Sequence, residues 1–234
     1  MSLFLWVIYP YIALTIMVVG LIYRYDADPL GWTARSSELL EKWRLMWGSN
    51  LFHWGIIFAF FGHVAGILVP LAFYRAANVP DEFYHLNALA AGGLAGVATL
   101  LGLLILVVRR LGVRRIFRTS STGDMVALAL LLATAIPGML TTISHNYEYR
   151  LTVGPWFRGL LTLHPDPSLM VGVPLGLQVH ILLAMATFAV TPFTRLVHLF
   201  SLPLAYLRRA PIQYRLRMPV VESPANRGNK GRPR

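Results

Sequence analysis

Apolar residues along this chain gather into five long stretches, near Leu3–Tyr23, Leu51–Phe73, Leu86–Val108, Met125–Ser144 and Val173–Phe200, each closed off by charge or proline. A helix needs roughly 20 predominantly apolar residues to cross a bilayer, and every stretch meets that length. The alternation of a barrel strand is absent, and open sheet edges cannot face lipid. The pattern predicts an all-α integral membrane bundle of five transmembrane helices. The first stretch lacks a basic leader or a small-residue cleavage site before its core and reads as a retained span. No domain boundary interrupts residues 1–218, which read as a single transmembrane domain. Residues 219–234 read as a disordered basic cytoplasmic tail.

Composition narrows the class further. Of 234 residues, 56% are hydrophobic and 13% charged, where an ordinary soluble domain carries about a quarter charged, and mean hydropathy is +0.58. A soluble globule is excluded. The absence of cysteine excludes disulfides, thiolate-bound zinc, cysteine-held iron–sulfur clusters, c-type haem and a cysteine nucleophile. Metal chemistry must rest on histidine, methionine or carboxylate.

The formal charge of +11 is unevenly placed. Arg109, Arg110, Arg114, Arg115 and Arg118 lie between spans three and four, and Arg208, Arg209, Arg215 and Arg217 follow span five. Positive connections stay cytoplasmic, which puts the N-terminus outside and the C-terminus in the cytoplasm. The loops Tyr74–His85 and His145–Gly172 are then external. Juxtamembrane arginines of this kind are topogenic or lipid-facing, and no nucleic-acid partner is expected.

Ionisable groups are costly inside a bilayer and mark function by default. Four of the seven histidines lie within spans: His53 and His63 on span two, His180 and His198 on span five. Antiparallel spans put His53 and His198 toward the cytoplasm and His63 and His180 deeper or toward the outside. Two facing pairs suit bis-histidine ligation of two haem b groups, each held between imidazoles from two helices. The axial spacing fits only in part. On straight helices the ten residues from His53 to His63 cover about 15 Å and the eighteen from His180 to His198 about 27 Å. Tilt, side-chain reach and slanted haem planes must absorb the difference, or one of the four is not a ligand. The alternative for each is a buried imidazole bonding a neighbouring helix. Gly62 and Gly66 flank His63, where they would let a flat macrocycle approach. They also form GxxxG, as do Gly92/Gly96 and Gly172/Gly176, which equally suits close helix packing.

Several segments taken in order resemble the gamma subunit of respiratory nitrate reductase: YPYIA at Tyr9, RYD at Arg24 with WTARSSELL following, SNLFH with GH ten residues on, AGGLAG at Ala91, STGD at Ser121 and RLVHLFSLPLAYL at Arg195. The resemblance covers most of the chain. It implies a di-haem cytochrome b that anchors a membrane quinol oxidase in the cell membrane. The cytoplasm-side haem would take His53 and His198, the outer haem His63 and His180. Quinol, menaquinol or ubiquinol, would be oxidised near the outer haem around Gly62 and His63, and its electrons would pass through both haems to a cytoplasmic iron–sulfur beta subunit and a molybdenum-containing alpha subunit. Nitrate reduction itself belongs to that partner. The family has a lysine at the start of span three; here lysine occurs only at Lys42 and Lys230, and His85 lies near that place. Arg109, Arg110 and Arg195 are candidate contacts for haem propionates, since guanidinium binds carboxylate bidentately. A related di-haem cytochrome serving another redox enzyme, for instance in sulfur metabolism, and a haem-free transporter or scaffold are the competing readings.

Overall fold

In a computed structural model, residues 2–28, 37–144 and 147–200 are described. Their regular structure is helical: α1 (Tyr9–Ala27), α2 (Trp43–His63), α3 (Leu71–Ala76), α4 (Asp81–Gly112), α5 (Arg114–Thr119), α6 (Thr122–Ser144), α7 (Val153–Leu161) and α8 (Leu175–Val190). Wider π-type turns, Phe4–Ile8 before α1 and Val64–Leu68 after α2, extend two of them. Five helical runs are long and apolar enough to cross a membrane: Phe4–Ala27, Trp43–Leu68, Asp81–Gly112, Thr122–Ser144 and Leu175–Phe193. The tail assigned to 219–234, the arginines beyond Phe200 and His145 lie outside the described residues.

Local chemistry sets the helix ends. Pro80 precedes α4, and Asp81 and Glu82 occupy its first turn, where carboxylates favour the helix dipole. Ser121 and Asp124 form a reciprocal box at the start of α6: the Asp124 N–H donates to Ser121 Oγ and the Ser121 N–H to Asp124 Oδ2, each at 3.2 Å. Two free donors of the first turn are thereby satisfied. Span two begins earlier than the hydropathy pattern suggests, at Trp43, and stops before Pro70.

Span five requires a correction. The α-helix ends at Val190 instead of running on to Phe200; Thr191–Phe193 forms a 3-10 turn containing Pro192, Thr194 is extended, and Arg195–Phe200 is a second 3-10 run. Proline lacks the amide that would continue the ladder. His198 therefore sits beyond the helix, and a straight 27 Å rise no longer separates it from His180.

Bundle neighbours run in the order α2, α4, α6, α8, α1, and α2 and α8 are not among the closely packed pairs. The tightest seam joins α2 to α4. A Cβ on Gly55 would lie 2.5 Å from the Thr99 amide nitrogen, one on Gly48 would lie 3.0 Å from Ile105, and Gly102 meets the backbone at Phe52. Glycine permits this backbone approach, which is what drives association where lipid removes the hydrophobic advantage. A compact core lies under α7, where Trp156 packs edge-on against Trp6 at 5.8 Å and its indole N–H donates to the Trp6 carbonyl at 2.8 Å. Elsewhere large apolar side chains face outward, as Val19, Ile22 and Leu94 do, which suits lipid contact. One end of the bundle, with Arg109–Arg118 and Arg195, is the basic end; the other, with α3 and α7, is the loop end.

Candidate functional site

The structure brings the four candidate histidines, three within spans and His198 just beyond the fifth, together in two pairs. His53 and His198 rings are 6.0 Å apart at 59°, and His63 and His180 rings are 6.0 Å apart at 27°. The pairing is the one antiparallel spans predict. In every case Nδ1 faces a backbone carbonyl: Ser49 O at 2.7 Å for His53, Ala59 O at 2.6 Å for His63, Thr134 O at 2.9 Å for His180 and Arg195 O at 2.5 Å for His198. A carbonyl only accepts, so Nδ1 carries the proton and Nε2 is the ring nitrogen that bears the lone pair. An imidazole in this tautomer is able to ligate a metal through Nε2.

Size supports the same reading. A first-row metal sits about 2 Å from an imidazole nitrogen, and a five-membered ring with bonds of about 1.35 Å has a radius near 1.1 Å. Two rings on opposite sides of one iron would have centroids roughly 6.2 Å apart. Both pairs meet that separation. No cluster of three or more His, Asp or Glu suited to a metal occurs among the described residues. A Cβ on Gly62 would meet nothing within 4 Å, leaving the face beside His63 open.

Of the GxxxG glycines, only Gly66 and Gly96 make the close contacts that motif suggests; Gly92 and Gly172 meet nothing and Gly176 is ordinary. The most intimate histidine contact involves a glycine outside any such motif. A Cβ on Gly138 would lie 2.7 Å from both Cε1 and Nδ1 of His180.

At the basic end three arginines share two carboxylates. Arg195 grips Asp124 through both branches, Nε to Oδ1 at 2.5 Å and Nη2 to Oδ2 at 2.7 Å. Arg110 Nη1 lies 3.1 Å from Asp124 Oδ2; it makes a charge contact without an aligned hydrogen bond and is otherwise an unsatisfied buried donor. Two cations on one carboxylate leave a positive charge over. Arg109 is committed elsewhere, donating to Glu41 Oε2 and to Ser37 and Glu41 carbonyls at 2.7–2.9 Å and to Ser37 Oγ at 3.0 Å. The Arg44 backbone N–H, with Arg109, holds the Glu41 carboxyl below its ordinary range.

At the loop end a cluster appears that the sequence reading did not anticipate. Arg150, almost wholly buried, donates to Glu148 at 2.8 and 2.9 Å and to Asp81 at 3.1 Å, and lies 4.1 Å over the Tyr84 ring. His85 Nε2 sits 3.1 Å from Arg150 Nη2 and 3.0 Å from Glu148 Oε2. One neighbour can only donate and the other only accept. Neutral His85 with a lone pair on Nε2 would accept from Arg150; protonated His85 would donate to Glu148. Arg150 holds Glu148 below the ordinary carboxylate range, chiefly by hydrogen bonding, and Glu148 in turn raises Arg150. Tyr84 and Tyr149 share a 2.9 Å hydroxyl bond, burial raises Tyr149, and both hydroxyls close on Gly66. Arg158 of α7 donates to the Ile67 carbonyl at 2.6 Å, tying the turn that follows His63. The available signal was electrostatic: Arg150 and Arg158 stand in a loop assigned to the side where arginine should be scarce. His164 is exposed, with Nδ1 2.7 Å from the Thr162 carbonyl.

A family model described as nitrate reductase gamma subunit matches residues 2–217. The chain is 50% identical over 217 residues to the nitrate reductase gamma chain of Bacillus subtilis, covering 91% of this chain and 97% of that one. It is 37% identical over 215 residues to the respiratory nitrate reductase 2 gamma chain of Escherichia coli, covering 89% and 94%. It is also 39% identical over 230 residues to the nitrate reductase-like protein NarX of Mycobacterium tuberculosis, covering 95% of this chain and 35% of that longer protein.

Proposed function

The chain belongs to the nitrate reductase gamma subunit family, and on that premise we propose that it is the quinol-oxidising, di-haem cytochrome b subunit of a respiratory nitrate reductase in the cell membrane. The observation that carries this reading is the pair of ring separations, 6.0 Å each, with all four Nδ1 atoms turned to carbonyls. His53 and His198 would hold the haem at the basic end, and His63 and His180 the haem at the loop end. Bound there, two haem b groups would supply one-electron carriers between quinol at the loop end and an iron–sulfur beta subunit and molybdenum alpha subunit docked at the basic end.

The protein's own groups supply the rest. Arginine outside the spans gathers at the basic end, which favours placing that end in the cytoplasm and the N-terminus outside. Arg110 and Arg195, with one positive charge beyond what Asp124 neutralises, suit haem propionates; Arg109 is tied to the Ser37–Glu41 segment. Gly62 leaves space beside His63 for a flat quinol headgroup. His85, where the family has lysine, would receive a quinol proton on Nε2 and turn from Arg150 toward Glu148, whose carboxylate stabilises the imidazolium.

The test is haem stoichiometry by pyridine haemochrome on the purified assembly, followed by reduction with a menaquinol analogue. The expected result is two haem b per chain, falling to one in His63→Ala and in His53→Ala, with quinol reducing both and nitrate reoxidising them only when the larger subunits are present. A haem-free chain, or two haems retained in either variant, would overturn the reading.

A further inference from the structure

Three of the four paired histidines are oriented by carbonyls of their own helical turn: His53 by Ser49, His63 by Ala59 and His198 by Arg195. His180 is different. Its Nδ1 reaches across from α8 to the carbonyl of Thr134 on α6 at 2.9 Å. Three features of α6 meet at that point. Pro137 lies inside the helix and, having no amide hydrogen, leaves the Ala133 carbonyl, next to that of Thr134, without its intrahelical donor. Gly138 has no Cβ, and one placed there would fall 2.7 Å from Nδ1 and Cε1 of the imidazole. The Thr134 hydroxyl, which donates to the Leu130 carbonyl at 2.7 Å, lies 3.2 Å from the Thr187 hydroxyl and fixes the register of α6 against α8.

We propose that Thr134, Pro137 and Gly138 form a cradle on α6 that positions the His180 ring, so that a helix contributing no ligand sets the orientation and basicity of the imidazole at the loop-end haem. The inference rests on the reading that His180 is an axial ligand. A carbonyl accepting the Nδ1 proton enriches the ring in electron density, and this outer partner tunes a bound metal. Because the acceptor and the contact surface both belong to α6, a shift of the Thr134–Gly138 turn relative to α8 is delivered directly to this imidazole. The other three carry their acceptors with them.

The experiment compares Gly138→Ala, Pro137→Ala, Gly92→Ala and His180→Ala in the complete assembly by low-temperature EPR and optical redox titration. Gly92 is the control, because a Cβ there meets nothing within 4 Å. In Gly138→Ala the ring itself must move to relieve the contact. The expected result is a shifted low-spin EPR feature and midpoint potential for one haem, the one lost in His180→Ala, with the other haem as in the parent. Pro137→Ala, which restores an amide donor to the Ala133 carbonyl beside the Thr134 acceptor, is expected to shift the same haem and carries the test if Gly138→Ala does not assemble. His180→Ala retaining both haems would overturn the ligand assignment and this inference with it. Loss of one haem in His180→Ala, combined with Gly138→Ala or Pro137→Ala spectra matching Gly92→Ala, or with both haems shifting equally, would overturn the cradle alone.

Discussion

Replacing Asp124 with asparagine should release the segment that carries His198. Asp124 is buried and does two things at once: its Oδ2 closes the box at the start of α6, and its two oxygens grip Arg195 at 2.5 and 2.7 Å while Arg110 approaches to 3.1 Å. Asparagine keeps the volume and one acceptor oxygen, so the cap survives in part, but the two guanidinium groups then face each other without an anion. Breaking a buried ion pair from one side costs about 3–5 kcal/mol. Arg195 is a third exposed, and solvent screening lowers the expected loss to about 2–4 kcal/mol. For a chain of this size each kcal/mol is worth roughly 2–4 °C in Tm, so unfolding of the purified assembly should move down by about 4–16 °C. The Arg195 carbonyl orients His198, so haem content should fall toward one per chain, with the missing haem the one that His53→Ala removes. Unchanged Tm together with two haems would refute the claim that this carboxylate organises the basic end.

Other outcomes follow from the same contacts. Gly102→Val should prevent close packing of α2 on α4, at a cost of about 1–3 kcal/mol or more, read as loss of assembled protein, while Gly92→Val is tolerated. Arg150→Met should slow quinol-dependent haem reduction by about tenfold, the effect of losing one charge-assisted bond, while leaving two haems; an unchanged rate removes the loop-end cluster from the reaction. Glu148, held below its ordinary range by Arg150, contributes stability that is fully present above its unfolded pKa of about 4.3 and is lost as pH falls through the lower folded value. Protease protection of the 147–152 loop should therefore persist at pH 6 and fade only below about pH 4, and fading at neutral pH would contradict the pairing. Because the chain has no cysteine, single cysteines at Asn78 and Thr162 should be labelled by an impermeant maleimide from outside intact cells, and one at Arg115 only after permeabilisation; the reverse pattern would invert the orientation.

The spans were legible because bilayer thickness is a length constraint that composition reports directly. Their ends were not. Trp43–Asn50 carries Arg44, Ser49 and Asn50, which mask it from a hydropathy pattern, yet backbone bonding continues the helix through them. The break at Val190 was marked by Pro192, a signal that apolar continuity toward Phe200 concealed. Two histidine pairs were legible through parity of antiparallel spans, and the awkward spacing on span five reflected a helix that does not extend that far. The α2–α4 seam uses Gly48, Gly55 and Gly102, whose role depends on which faces meet, and no four-residue motif encodes that. Arg150 and Glu148 lie in a loop whose sequence carries no spacing signal, and only tertiary folding sets them on Tyr84 and His85.

Both histidines from the C-terminal part of the chain depend on α6, at positions far apart along it. Asp124 anchors the Arg195 segment and so His198, while Thr134 and Gly138 hold His180. Fourteen residues separate Asp124 from Gly138, about 21 Å along a helix, well beyond the roughly 7–10 Å within which substitutions usually couple. The double variant Asp124→Asn/Gly138→Ala should then show stability losses that add to within about 0.5 kcal/mol, with each haem's spectrum matching that of the corresponding single variant. A larger coupling would mean that α6 moves as one rigid lever on both sites, so that a change at the basic end reaches the quinol end through this helix; additivity would mean that the two ends of α6 act independently.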